Sequence, residues 1–126
     1  MAGKTIAQKL LIKENYRVIL LNQPAGYQAK LGELPQNVTV LEGTAESADL
    51  IQIFLTTRLE LEENLGNLRA RLKPQGLLWI TYPKGTSKVE TDLNRDIIRG
   101  YVESNGFKAV ALVAVDDTWS AMRVKV

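Results

Sequence analysis

Two apolar runs flanking one amphipathic segment constrain the fold of this chain more than any other feature. The runs are Asp49–Leu55 and Gly76–Tyr82, and each is nearly continuous in apolar residues, as is typical of strands buried on both faces of a parallel sheet. The segment between them carries leucines at helical spacing, namely Leu61, Leu65, Leu68 and Leu72. A strand, a helix and a second strand joined by short turns form a right-handed βαβ unit. The sequence therefore predicts an α/β fold built on a parallel sheet.

Local signals set the two ends of this helix. Thr57 and Glu60 have the spacing of a capping box, in which each side chain satisfies an amide of the first helical turn. Lys73–Gly76 contains a proline and a glycine, which end the helix and turn the chain into the second strand. A second capping box, Thr5 with Gln8, predicts another short helix early in the chain.

The other apolar runs complete the sheet. Their β-branched content and the turns around them predict strands at Tyr16–Leu21, Val38–Leu41, Phe107–Val115 and Thr118–Val126. The last of these returns antiparallel after a tight turn, and a third helix is expected to begin near Thr91 or Asp92. A chain of 126 residues has the size of one domain, so we expect residues 1–126 to form a single α/β domain.

Two residue types are absent, and their absence narrows the chemistry that the chain can perform. Without Cys or His there is no disulfide, thiol nucleophile, Ser-His-Asp triad or Cys/His zinc site. No catalytic and no metal-binding residue stands out among the remaining polar types. The net charge of +2 argues against a nucleic-acid partner. The lack of a long apolar run or a signal-peptide core predicts a cytoplasmic protein with no membrane partner.

Polar residues follow each predicted parallel strand. Because the carboxyl ends of parallel strands lie at one edge of a sheet, we expect a rim there that can hold a small polar ligand. The strand order should reverse between Tyr16–Leu21 and Asp49–Leu55, which leaves a crevice at this rim. The candidate residues are, for a cofactor, Gly26, Glu42 and Thr56, and, for a substrate, Lys84, Asp117 and Trp119.

Several of these candidates have a structural explanation as well. Gly26 can simply allow the turn after the first strand, where a nucleotide-binding fold carries further glycines. Glu42 has the position of an acid that binds a ribose hydroxyl in such folds, and it can equally be a solvated loop carboxylate. Lys84 and Trp119 can cover apolar surface at the end of the sheet. The sequence leaves both interpretations open.

Several segments resemble known families. Leu72–Gly76 is similar to the Leu-Lys-Pro-Gly-Gly turn of class I S-adenosylmethionine-dependent methyltransferases. Five segments together resemble a family of small bacterial proteins of unknown function, over nearly the whole chain: Asn22–Tyr27, Leu72–Gly76, Tyr82–Gly85, Thr91–Asp96 and Val115–Ala121. The methyltransferase resemblance implies a three-layer, Rossmann-like sheet, mostly parallel with a C-terminal antiparallel strand. It also implies a trimmed methyltransferase-like topology, because the chain omits at least one strand–helix pair of that family.

The same resemblance implies S-adenosylmethionine as the cofactor, but the loop at Asn22–Gly26 departs from the family's glycine-rich pattern, so this cofactor is not favoured. The favoured function is therefore a non-catalytic binding or interaction module with a degenerate cofactor loop. The alternatives are an S-adenosylmethionine- or nucleotide-binding enzyme, such as a small methyltransferase-like protein, and a structural subunit of a homodimer. The fold alone does not decide among them, and the chain is expected to be a monomer or a homodimer.

Overall fold

The computed structural model describes residues 4–42 and 47–125 of the chain. Its helices are α1 (Ile6–Lys9), α2 (Tyr27–Lys30), α3 (Arg58–Arg71) and α4 (Arg95–Ser104). Its strands are β1 (Arg17–Leu21), β2 (Thr39–Glu42), β3 (Ala48–Phe54), β4 (Leu72–Pro83), β5 (Lys108–Ala114) and β6 (Trp119–Lys125). None of the helices in these residues has the length and apolar character that crossing a lipid bilayer requires.

Within the described residues the strands form one sheet in the order β2-β1-β3-β4-β6-β5. The pairs β1–β2, β1–β3 and β3–β4 are parallel, and β6 is antiparallel to both β4 and β5. This confirms the predicted mostly parallel sheet with an antiparallel C-terminal strand. The strand order reverses between β1 and β3, as predicted. Only residues 43–47 separate β2 from β3, which leaves no room for a further strand and helix between them.

The central strand β3 is buried along almost its whole length, with Asp49 as its one partly exposed residue. Its side chains alternate between two apolar clusters. Ile51 and Ile53 pack with the buried faces of α3 and α4, whereas Leu50 and Phe54 pack with residues of α1 and α2. Helices therefore cover both faces of the sheet, which gives three layers.

A row of three hydrogen-bonded side chains crosses the sheet face that α1 and α2 cover. The Tyr27 hydroxyl donates to Gln52 Oε1 at 2.9 Å, and Gln52 Nε2 donates to Thr81 Oγ1 at 3.0 Å. Gln52 and Thr81 are completely buried, and a buried amide without partners is costly. These hydrogen bonds therefore fix α2 against the middle of β3 and β4. On the same face, Trp79 Nε1 donates to the Leu10 carbonyl at 3.0 Å and anchors the end of α1.

Both predicted capping boxes are present. Thr57 Oγ1 accepts the Glu60 amide at 3.2 Å, and the Glu60 carboxylate accepts the Thr57 amide at 3.1 Å. Thr5 and Gln8 form the equivalent pair at the start of α1. These local signals are sufficient to place the first residues of α1 and α3.

The predicted start of the third helix at Thr91 or Asp92 is wrong. Helix α4 begins at Arg95, and its cap is Asn94, whose Oδ1 accepts the Ile97 amide at 2.9 Å. Thr91 and Asp92 instead bond to residues at the start of α3. Their side chains do satisfy backbone groups at the start of a helix, but that helix is α3 and not α4.

The predicted turn Lys73–Gly76 lies within β4 and forms an irregularity of that strand. Leu72 pairs with Ala48 and Leu77 pairs with Leu50, so two steps along β3 match five steps along β4. The predicted turn Lys73–Gly76 therefore forms a large bulge, within a strand that starts directly after the last residue of α3.

Glycine at position 76 allows this bulge to close, and its replacement gives a test. In Gly76→Ala the added Cβ would lie 2.8 Å from the Leu72 side chain and from the Lys73 carbonyl oxygen. We expect the free energy of unfolding to fall by about 1–3 kcal/mol. Gly66→Ala, in the exposed middle of α3, meets nothing within 4 Å and should raise it by about 0.5–1 kcal/mol. Urea denaturation measures both variants, and a neutral or stabilising Gly76→Ala would contradict the bulge.

Candidate functional site

A cleft lies at the rim formed by the carboxyl ends of β3 and β4. We call it the rim cleft: Thr56 and Thr57 line it before α3, Lys84 and Gly85 line it after β4, and the following loop contributes residues 87–93. Its volume is about 900 Å³, which is in the range of small-molecule sites. Two candidates from the sequence, Thr56 and Lys84, therefore share one cleft.

Two hydrogen bonds fasten the loop that forms the outer wall of the rim cleft. The Thr91 hydroxyl donates to the Thr56 carbonyl at 2.6 Å, and Asp92 Oδ1 accepts the Arg58 amide at 2.7 Å. Arg58 is the first residue of α3, so Asp92 satisfies an amide that has no partner within the helix. The loop and the start of α3 are thereby held together.

Lys84 and Ser87 offer hydrogen-bond donors inside the rim cleft. The Lys84 amide donates to the Thr118 carbonyl at 2.8 Å and so ties the end of β4 to the turn before β6. This contact fixes the backbone from which the half-buried Lys84 side chain extends. Ser87 Oγ is buried and has no hydrogen-bond partner among the described residues. Buried hydroxyls without partners are rare, and Ser87 lines the rim cleft, so a water molecule or a polar ligand there can supply the missing partner.

Thr56, a predicted cofactor-binding residue, also stabilises the start of α3. Glu60 Oε1 accepts the Thr56 amide at 3.0 Å and the Thr56 hydroxyl at 3.1 Å. It also accepts the amide and the hydroxyl of Thr57. These donors, with the Thr56 amide foremost, hold the pKa of the Glu60 carboxyl below its usual value. The Thr56 side chain is therefore engaged with the scaffold.

Gly26 lies at the predicted crevice between β1 and β3. Its φ of +78° is in the left-handed region, which explains a glycine there. A Cβ built on Gly26 would meet nothing within 4 Å, so the space beside it is open. Glu42 is the last residue of β2, and its backbone pairs with Leu20 of β1. The side chain of Glu42 lies outside the part of the chain that the structure describes.

Three aromatic rings connect the start of α2, the end of β3 and the start of β6. The ring centroids of Tyr27 and Phe54 are 4.6 Å apart, and those of Phe54 and Trp119 are 5.0 Å apart, both edge to face. The candidate Trp119 therefore packs on the last residue of β3. Burial raises the pKa of the Tyr27 hydroxyl, which stays protonated and donates to Gln52.

The turn between β5 and β6 carries the remaining candidate, Asp117, which is exposed to solvent. The preceding carboxylate shapes the turn: Asp116 Oδ1 accepts the amides of Thr118 and Trp119 at 2.8 and 2.9 Å. Asp117 and Trp119 thus lie beside the Thr118 carbonyl that the Lys84 amide contacts.

The candidates therefore lie along the rim in the order of their strands. From the β2 side of the sheet toward the β5 side they are Glu42, Gly26, Thr56, Lys84 and Trp119, with Asp117 in the turn before Trp119. The sequence places Ser87 in a loop at this rim but does not single it out as a candidate, because a serine in a polar loop carries no signal that its hydroxyl will be buried. Within residues 4–42 and 47–125, no group of three or more Asp or Glu side chains is arranged to hold a metal ion.

Comparison with solved structures identifies the fold. The structure of DhpI in complex with SAH matches with a TM-score of 0.66 and 12% identity, over 95% of this chain and 82% of that chain. An SAM-dependent methyltransferase from Aquifex aeolicus matches with a TM-score of 0.65 and 17% identity, over 95% and 89% of the two chains. A ribosomal protein L11 methylase from Lactobacillus delbrueckii subsp. bulgaricus matches with a TM-score of 0.63 and 13% identity, over 95% and 74%.

These neighbours confirm the predicted Rossmann-like, class I methyltransferase-like fold in a trimmed form. No protein-family model and no curated protein matches the chain. At identities this low the likeness is one of fold, and the activities of the neighbours do not transfer with it.

The Glu60 contacts predict how stability depends on pH. Because the folded-state pKa of Glu60 is lower than the usual value of 4.5, its contribution is present above that value and is lost as the pH falls through the folded-state pKa. Glu60→Gln keeps an acceptor oxygen but removes the charge. We expect the melting temperature of Glu60→Gln to lie below that of the unmodified protein at neutral pH, and this difference to shrink in acid.

The matched control is Glu63→Gln, which removes an exposed charge from the same helix. Melting followed by circular dichroism between neutral and acidic pH measures the three proteins. An identical pH dependence of Glu60→Gln and Glu63→Gln would show that the contacts of Glu60 at the start of α3 do not matter.

Proposed function

We propose that this chain is a binding module without catalytic activity of its own, and that the rim cleft holds a small polar ligand. The observation that supports this most is that three carboxylates at the rim are engaged with the scaffold, whereas Glu90 and Asp117 are exposed to solvent. Asp92 accepts an amide of α3, Glu60 accepts donors from the two preceding threonines, and Asp116 closes the turn before β6. A general base must instead direct a lone pair at its substrate.

The displaced pKa values support the same proposal. Among the described residues they belong to Glu60, Tyr27 and Tyr82, and each moves away from neutrality. Burial raises the pKa of Tyr82, with Arg95 opposing and Asp96 adding to the effect. Groups that transfer protons in catalysis have pKa values tuned toward the working pH. Shifts in these directions are those of groups that hold a structure together.

Donors of the rim cleft remain for a ligand, together with the exposed carboxylate of Glu90. The Lys84 ammonium extends from a fixed strand end, and the Ser87 hydroxyl is buried without a partner among the described residues. A cation and a hydroxyl in one cleft complement a ligand with oxygen acceptors. Recognition without chemistry is therefore the function that this cleft supports best.

The second candidate is an enzyme that binds an adenosyl cofactor. Two observations favour it: the class I methyltransferase-like fold, and the open space beside Gly26 at the reversal of strand order. In this case Gly26, Glu42 and Thr56 would hold the cofactor. Lys84 or Asp117 would lie near the substrate.

Calorimetric titration with S-adenosylmethionine and S-adenosylhomocysteine separates the two candidates. We expect no binding in the micromolar range, because the loop after β1 has a single glycine and Thr56 is engaged by Glu60. Micromolar binding that Glu42→Ala abolishes would instead contradict the first candidate and favour the cofactor-binding one. Glu33→Ala, which removes an exposed carboxylate from a loop, is the matched control and should leave any such binding intact.

A thermal-shift screen of polar metabolites tests the rim cleft directly, since a ligand that binds the native state raises the melting temperature. We expect at least one compound with oxygen acceptors to do so, and we expect Lys84→Ala and Ser87→Ala each to reduce the shift. Lys13→Ala, an exposed lysine before β1, is the control and should preserve the shift. A shift that survives both rim variants places the ligand elsewhere and contradicts the proposal.

A further inference from the structure

A second cavity lies at the end of the sheet opposite the rim cleft, near the amino ends of the parallel strands, where β4 begins and β6 ends. We call it the basic cavity, because its lining includes Arg69, Lys73, Arg123 and Lys125 together with the bulge before β4. Its volume is about 810 Å³, which is sufficient for a ligand of nucleotide size. It shares no lining residue with the rim cleft.

The charge of the basic cavity is of one sign. Among the residues that the structure describes, four cationic side chains line it and no acidic side chain does. One carboxylate is close: Asp49 Oδ2 lies 3.5 Å from Lys73 Nζ, and the same oxygen accepts the Arg17 amide at 2.8 Å. Cations gathered in a concave site repel one another and concentrate anions from solution.

Arg123 supplies a second, independent observation. Its Nε is buried and has no hydrogen-bond partner among the described residues. Arg123 lies opposite Trp79 of β4, within the interior of the sheet. A buried donor on a charged group that lacks a partner is destabilising, and such a group calls for an acceptor. Arg123 lines the basic cavity, so an anion bound there can accept hydrogen bonds from the Arg123 guanidinium.

Arg69 is held in position from the other side of the basic cavity. Its guanidinium lies 5.2 Å from the centroid of the Phe107 ring, and its Nη1 donates to the Asn105 carbonyl at 3.3 Å. Stacking on a ring leaves other guanidinium donors available, and the fork of arginine donors matches phosphate oxygens. The cavity therefore presents at least one positioned guanidinium besides Arg123.

We propose that the basic cavity binds a small molecule bearing phosphate groups, with Arg123, Lys125, Arg69 and Lys73 as its cationic contacts. The size of the cavity fits a ligand of nucleotide size, and its four cations and the buried donor without a partner fit the phosphate groups of such a ligand. The low net charge of the chain is no objection, because the relevant charge is local. The site does not depend on what the rim cleft binds.

Pyrophosphate is the probe, added to the full chain at constant ionic strength and followed by NMR shifts of the backbone amides. We expect saturable shifts at Gly76, Arg123 and Lys125, and none at Lys84 or Ser87. Arg123→Gln combined with Lys125→Gln should weaken binding by about tenfold or more, since each loses a charge-assisted contact. Lys13→Gln combined with Lys30→Gln removes the same charge from exposed positions and should leave the affinity unchanged.

If the first double variant does not fold, Lys73→Gln combined with Lys125→Gln provides the same test with more exposed side chains. Shifts that do not saturate, equal affinity for sulfate, or equal weakening by the Lys13 and Lys30 variants would each overturn the proposal, because they indicate general charge attraction. Binding of a short single-stranded oligonucleotide without binding of pyrophosphate would overturn it in favour of a nucleic-acid surface.

Discussion

The burial of β3 is the constraint on which the rest of this structure depends. The strand has neighbours along both edges and helices over both faces, so almost none of its surface meets water. β1 and β4 must therefore run beside it, and the helices must divide between the two faces. The single amide side chain in the strand, Gln52, is satisfied from both directions, by Tyr27 and by Thr81. The rim exists because these parallel strands all end at the same edge.

Features that are encoded within one element were predictable from the sequence. The apolar runs identified β3 and β4 because a strand buried on both faces has no polar alternation, and the capping boxes identified the starts of α1 and α3 from adjacent residues. Contacts between distant positions left no such signal. Asp92 was recognisable as a capping residue, but it caps a helix that begins 34 positions earlier. The burial of Ser87 and the grouping of Arg69 with Arg123 depend on topology that no short segment contains.

The two ends of the sheet differ in their chemistry although one fold creates both. At the carboxyl rim, three carboxylates are matched: Asp92, Glu60 and Asp116 each accept backbone amides. At the amino ends of the parallel strands, positive side chains accumulate around a cavity that no acidic side chain of the described residues lines. A methyltransferase-like fold directs attention to the first end, because related folds bind their ligands there. In this chain the basic cavity is an equally good candidate for a ligand site. Its gathered positive charges are not explained by folding alone.

The bonds from Thr91 to the Thr56 carbonyl and from Asp92 to the Arg58 amide have a consequence for selectivity. They hold the loop of residues 87–93 against the start of α3 in the absence of a ligand. A ligand of the rim cleft therefore need not order this loop when it binds. Preorganised sites lose little conformational entropy upon association and accept only shapes that fit them as they stand. The rim cleft would then select its ligand as a preformed site rather than by induced fit.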